Sequence, residues 1–109
     1  MSLMKMSSKE LSDLVEIIAD KFFEAKQMTL LEEQGKLLAE DNTPCRAYLI
    51  KVERAYATLE PKEQNLINNE FFFQNYHNWW VGLYTQASFY RFKKQTMQRF
   101  LEAFHNAQI

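Results

Sequence analysis

The chain has 109 residues, 47% of them hydrophobic and 25% charged, and its 13 basic and 14 acidic side chains leave a formal net charge of -1. This length predicts a single domain over residues 1–109, and the hydrophobic content excludes a disordered chain. The one cysteine, Cys45, excludes an internal disulfide and a zinc site built from cysteines, and it is typical of a cytoplasmic protein.

Membrane insertion is not expected from the hydropathy pattern. Residues 1–9 lack the apolar centre of a signal peptide, and no stretch approaches the roughly 20 apolar residues of a membrane span. Glycine and proline are scarce, with two of each. Because all-β domains need many turns, this scarcity predicts an all-α fold, which we expect to be a compact bundle of about five to six helices.

Helical spacing begins near the start of the chain. Ser7 and Glu10 form a capping box, and apolar residues then recur along one stripe: Leu11, Leu14, Val15, Ile18, Phe22 and Ala25. Thr29 begins a second capping pattern, Thr-Leu-Leu-Glu. It predicts that a second helix starts there and ends near Glu40.

Two further helix starts carry proline in the first turn. Thr43-Pro44 predicts a third helix, with the apolar stripe Tyr48, Leu49, Val52, Tyr56 and Leu59. Glu60-Pro61 predicts a fourth, containing Leu66, Ile67 and Phe71. The first three helices make residues 1–58 an acidic N-terminal region, and the fourth helix opens a second region over residues 59–106.

The last third of the chain is rich in aromatic rings. Three phenylalanines at 71–73 and the pair Trp79-Trp80 are separated by residues that fit either a loop or a polar helical turn. A short helix is predicted over residues 79–84. Thr85 then caps a last helix to about Asn106, with an apolar stripe of Phe89, Phe92, Thr96, Phe100 and Ala103, widened by Leu101 and Phe104.

The near-zero net charge is the average of two unlike parts. Residues 1–70 hold nine basic and thirteen acidic side chains, whereas residues 71–109 hold four basic side chains and one acid, Glu102. Basic residues clustered on one helix are a common signature of phosphate binding. They are also typical of a solvated helix face near a helix C-terminus, and charge alone leaves both interpretations open.

A short helix, a tight break and a long basic helix have the layout of a helix-turn-helix, in which the second helix enters the DNA major groove. On this hypothesis Gln86, Ser88 and Arg91 lie near base edges. Side chains farther along the helix face the backbone, with phosphate contacts from Lys93, Lys94 and Arg99 and with Gln98 on the same face.

The residues that carry this layout also resemble a known family. Residues 80–94, Trp-Val-Gly-Leu-Tyr-Thr-Gln-Ala-Ser-Phe-Tyr-Arg-Phe-Lys-Lys, look like the C-terminal helix-turn-helix of small sigma-factor-like regulators of Gram-positive bacteria, mycoplasmas and their phages. Residues 59–67, Leu-Glu-Pro-Lys-Glu-Gln-Asn-Leu-Ile, are similar to the helix that opens region 4 of sigma-70 factors. The resemblance covers about residues 59–104, and nothing earlier resembles a promoter-melting region.

The resemblance implies a DNA-binding transcription regulator. Its partner would be double-stranded promoter or operator DNA, and RNA polymerase is a further partner that such proteins use. A homodimer is also left open, because the apolar stripe of the first helix serves equally for packing within the chain or for pairing with a second copy. The outer face of that helix is acidic, at Asp13, Glu16, Asp20 and Glu24.

The alternative function is a non-enzymatic helical module that binds another protein through an exposed aromatic surface. Most rings between residues 71 and 90 are expected in the core, which leaves Phe73 and Tyr76 for a partner. We expect no enzyme, no cofactor and no metal. His77 and His105 are the only histidines, without the further ligands that a metal site needs. We expect a half-buried structural thiol at Cys45.

Overall fold

Four α-helices form the part of the chain that the computed structural model describes, residues 5–33, 35, 43–73 and 78–107. They are α1 (Ser8–Glu33), α2 (Thr43–Ala57), α3 (Pro61–Ile67) and α4 (Gln86–Asn106). A π-helical turn, Asn68–Phe72, continues α3. No strand occurs in these residues, which confirms the all-α prediction. The expected five to six helices are not confirmed, because only four α-helices are present here.

Helix α1 begins as its capping box predicts. The Ser7 N–H donates to the Glu10 carboxylate at 3.1 Å, and the Glu10 N–H donates to the Ser7 hydroxyl at 3.1 Å. The hydrogen bond from the Ser7 backbone N–H lowers the pKa of Glu10, and the Ser7 side chain adds to this effect. The apolar stripe of α1 is buried within the chain, with Leu11 and Val15 fully inaccessible. The sequence left two alternatives open for this stripe, packing within the chain or pairing with a second copy. In the structure the stripe packs in the core of the chain itself.

The predicted helix start at Thr29 is wrong. Helix α1 continues through this position to Glu33 without a break. Thr29 falls at the same helical spacing as Ala25 and the buried residues before it, so the core-facing stripe runs on through it. Its hydroxyl donates to the Ala25 carbonyl at 3.0 Å instead of capping a new helix. The predicted end near Glu40 lies outside the described residues.

Helix α3 begins at Pro61 as predicted, and α2 begins at Thr43, one residue before the predicted Pro44. In α3, the Glu63 carboxylate accepts the Glu60 N–H at 2.9 Å, which satisfies an amide that the helix itself leaves free. Helix α2 is joined to α1 by the Tyr48 hydroxyl, which donates to the Ile18 carbonyl at 3.2 Å. Burial raises the pKa of Tyr48. One hydrophobic core contains buried residues from every helix: Leu11, Val15, Ile18, Ala19, Val52, Ala55, Leu59, Leu66, Ile67, Phe71, Phe89, Met97, Phe100 and Leu101.

The π-helical turn sorts the three consecutive phenylalanines. The Phe73 N–H donates to the Asn68 carbonyl at 2.7 Å, one residue farther back than in an α-helix. Phe71 is buried in the core, whereas Phe73 is 62% exposed. Phe72 packs edge-to-face against Phe22 of α1, with ring centroids 5.4 Å apart. Phe71 therefore points into the core, Phe72 packs against α1 and Phe73 points toward solvent.

The predicted short helix at residues 79–84 is wrong. Residues 78–83 form consecutive turns, in which the Tyr84 N–H donates to the Trp80 carbonyl at 3.0 Å as a single helical turn. Stacked aromatic rings hold these residues in place instead of a continuous run of helical hydrogen bonds. The Trp80 ring is stacked on Phe89 at 4.4 Å and 5°, and Trp79 meets Phe89 edge-on at 5.7 Å. A helix-turn-helix in the strict sense is therefore not confirmed.

Phe89 should be the most sensitive position in this aromatic layer. The side chain is 1% exposed, and Phe89→Ala removes the ring on which both tryptophans pack, so we expect a loss of about 3–5 kcal/mol in the free energy of unfolding. Chemical denaturation followed by tryptophan fluorescence measures it. The control is the adjacent Tyr90→Ala, because Tyr90 is 53% exposed, and it should cost about 1 kcal/mol or less. Equal losses for the two variants would contradict this packing.

Candidate nucleic-acid interface

Helix α4 supplies all the residues that the sequence predicts for DNA contact. Thr85 caps it as predicted, its hydroxyl accepting the Ser88 N–H at 3.2 Å. The helix is 21 residues long. The turns that precede it pack against it, with the Trp80 ring stacked on Phe89 of the helix. Its buried residues are Phe89, Thr96, Met97, Phe100 and Leu101, which fixes the opposite side as the exposed face.

Helical geometry separates the predicted contact residues into two groups. At 100° per residue, Ser88, Lys94 and Gln98 all lie within about 60° of Arg91 around the helix axis. Arg91 is exposed and the other three are half-buried. We call these four residues the α4 outer face. Gln86 is exposed in the first turn, but it is displaced by about 140° from Arg91 around the axis.

Lys93 belongs to the other side of α4. It lies about 160° from Arg91, and its ammonium group is 3.0 Å from the Glu70 carboxylate of the π-helical turn. The same carboxylate accepts the Trp79 indole N–H at 3.3 Å. The two side chains of the ion pair are only 24% and 14% exposed. Lys93 thus joins α4 to the π-helical turn, and the predicted phosphate contact from it is not supported by this geometry.

Arg99 is also committed to an ion pair. One guanidinium nitrogen lies 2.9 Å and 3.0 Å from the two carboxylate oxygens of Glu63 in α3. The Glu63 side chain is 4% exposed and that of Arg99 is 46% exposed. A nearly buried carboxylate needs a cation to offset its lost hydration, so we expect this pair to persist in solution. The charge of Arg99 is therefore already paired with Glu63 in the fold, which leaves it less available for a phosphate.

The basic patch is consequently smaller than the sequence suggests. Two of its four cations, Lys93 and Arg99, are paired with carboxylates that precede α4 in the chain. Arg91 and Lys94 remain on the outer face, and α4 contains no carboxylate before Glu102. The N-terminal half of the outer face is therefore positively charged, but with two charges instead of four.

A second surface, which the sequence analysis did not find, lies between α1, α2 and the π-helical turn. It is an open pocket of about 420 Å³ lined by Phe22, Phe23, Lys26, Val52, Glu53, Tyr56, Asn68, Phe72 and Phe73. We call it the phenylalanine pocket. The aromatic runs at 22–23 and 71–73 were visible in the sequence, but nothing local indicates that they meet. Phe73 is exposed, as expected for a partner contact, and Tyr76 lies outside the described residues.

The remaining candidates offer little chemistry. Cys45 is half-buried in the first turn of α2, and His105 is exposed near the end of α4. His77 lies outside the described residues. Within the described ranges, no group of three or more His, Cys, Asp or Glu is placed to hold a metal ion. No helix in this part of the chain is long and apolar enough to cross a membrane.

Comparisons with known proteins add no assignment. The chain matches no protein-family model, no curated protein and no solved structure at a significant level. The sigma-like resemblance therefore rests on residues 59–67 and 80–94 alone.

Two arginines on α4 should differ sharply in their effect on stability. Arg99→Gln leaves the Glu63 carboxylate buried without its cation, so we expect a loss of about 2–3 kcal/mol in the free energy of unfolding. The matched control Arg91→Gln changes an exposed side chain on the same helix and should shift stability by about 0.5 kcal/mol or less. Urea denaturation of both variants measures the difference. A neutral Arg99→Gln would show that the ion pair does not stabilise the fold.

Proposed function

We propose that this protein binds double-stranded DNA through the α4 outer face. The observation that supports the proposal is the capped N-terminal half of α4, where the exposed Arg91 and the half-buried Ser88 and Lys94 share one side without a neighbouring carboxylate on the helix. A helix of this kind fits the DNA major groove, and small polar residues near its start allow a close approach.

The roles of the individual residues differ from those that the sequence suggested. Arg91 is the residue best placed for guanine or for phosphate, and Lys94 for phosphate. Ser88 and Gln98 flank them, and Gln86 contacts the duplex only from the end of the helix. Lys93 and Arg99 are assigned to the fold and not to DNA. The cytoplasmic location, the regulatory role and the RNA polymerase partner remain parts of the same proposal, and they depend on the sigma-like resemblance.

Salt dependence tests the number of DNA contacts. With Arg91 and Lys94 as the phosphate ligands, the log–log slope of affinity against salt concentration should be about -2, since each contact contributes about -0.9. Contacts from all four basic residues would give about -4 instead. Fluorescence anisotropy with a generic labelled duplex at several salt concentrations measures the slope. Absence of binding by the folded protein at low salt would overturn the proposal.

Substitutions test which residues make the contacts. Arg91→Gln and Lys94→Gln should each weaken binding and bring the slope to about -1, because each removes one released counterion. Lys21→Gln, which removes an exposed lysine from α1, is the control and should leave the slope unchanged. If Lys21→Gln weakens binding as much as Arg91→Gln, the attraction comes from general charge and not from the α4 outer face.

The second candidate function is protein binding through the phenylalanine pocket. The observation that favours it is the pocket itself, beside which Phe23 and Phe73 are 42% and 62% exposed. Exposed aromatic rings beside an apolar pocket are typical of protein interfaces. None of the residues that line this pocket belongs to α4, so the two functions can be lost independently.

A further inference from the structure

We propose that the phenylalanine pocket is occupied by a second copy of this chain, in a symmetric dimer. This inference deepens the protein-binding function and is independent of DNA binding. Its basis is the distribution of charge and aromatic rings around the pocket, which makes the surface complementary to itself.

The pocket has walls of opposite charge. Lys26 stands on α1 and Glu53 on α2, and both line the pocket as exposed side chains. The Lys26 ammonium group lies 5.7 Å from the Phe22 ring centroid, which keeps it at the aromatic wall. A partner that carries both charges in the reverse arrangement pairs with both groups, whereas an uncharged partner pairs with neither.

A two-fold axis that runs between α1 and α2 pairs both charges with opposite charges of the second copy. Such an axis places α1 of each copy against α2 of the other, because a symmetric interface uses the same surface twice. Lys26 then faces Glu53 of the second copy, and Glu53 faces its Lys26. An axis perpendicular to this direction would place Lys26 against Lys26, so the charge pattern selects one of the two arrangements.

The aromatic rings are equally reciprocal. Each copy supplies an apolar pocket of about 420 Å³ and also the exposed Phe73 ring on its rim. A ring from each copy can enter the pocket of the other, so two pockets are filled by two side chains. Central aromatic anchors with charged pairs around them are the usual anatomy of a specific interface.

Charge reversal tests the arrangement. The wild-type chain should sediment as a dimer in analytical ultracentrifugation, whereas Lys26→Glu and Glu53→Lys should each raise the dimer dissociation constant by about tenfold or more, since both reciprocal pairs become repulsive. Mixing the two variants should restore dimers, because every pair in the mixed dimer again joins opposite charges. Circular dichroism checks that both variants are folded.

The outcomes are decisive in either direction. A monomeric wild-type chain at high concentration overturns the proposal, and so does a wild-type dimer whose charge variants fail to recover on mixing. Phe73→Ser should also abolish the dimer, whereas Leu83→Ser, at an apolar side chain of similar exposure (68% against 62%), should not. Dimerisation lost in Phe73→Ser with an unchanged DNA salt slope separates this inference from the DNA-binding proposal.

Discussion

The buried carboxylate of Glu63 constrains how the second half of the chain assembles. It is nearly inaccessible, and it takes the Glu60 N–H at the start of α3 and the Arg99 guanidinium from α4. Without these partners a charge would be left in the core, at a cost that the fold of a small domain could not readily sustain. The pair therefore fixes the rotation of α4 relative to α3. The ion pair of Glu70 and Lys93 likewise holds α4 against the π-helical turn.

The buried residues of α4 set which side of the helix meets solvent, and the two ion pairs hold it in that orientation. With Arg99 held by α3 and Lys93 held by the π-helical turn, the stripe around Arg91 and Lys94 is turned outward. The same two ion pairs that hold the helix also neutralise half of its positive charge. This pairing explains why a helix that looks strongly basic in the sequence presents only a small positive face. In the proposed function, stability and DNA binding draw on one set of basic side chains.

Aromatic packing holds the turns that precede α4. Residues 78–83 form these turns, and Trp79 and Trp80 pack them against Phe89. The π-helical turn directs Phe71 inward and leaves Phe73 exposed beside the phenylalanine pocket. The packed aromatic rings therefore position both the α4 outer face and the phenylalanine pocket.

Local chemistry in the sequence determined the helix class and most helix starts. The capping box of Ser7 and Glu10, the helix start at Glu60-Pro61 and the cap at Thr85 depend on a few neighbouring residues, so they are visible without a structure. Thr29 shows the limit of such patterns, because its hydroxyl can cap a helix or bond within one, and the buried stripe of α1 decides for the second. Only the tertiary structure could distinguish Arg91 from Arg99, or bring Phe22 to Phe72, since their partners lie 36 or more residues away in the chain. Such distant pairs are set by how helices pack, and no spacing along the sequence records that.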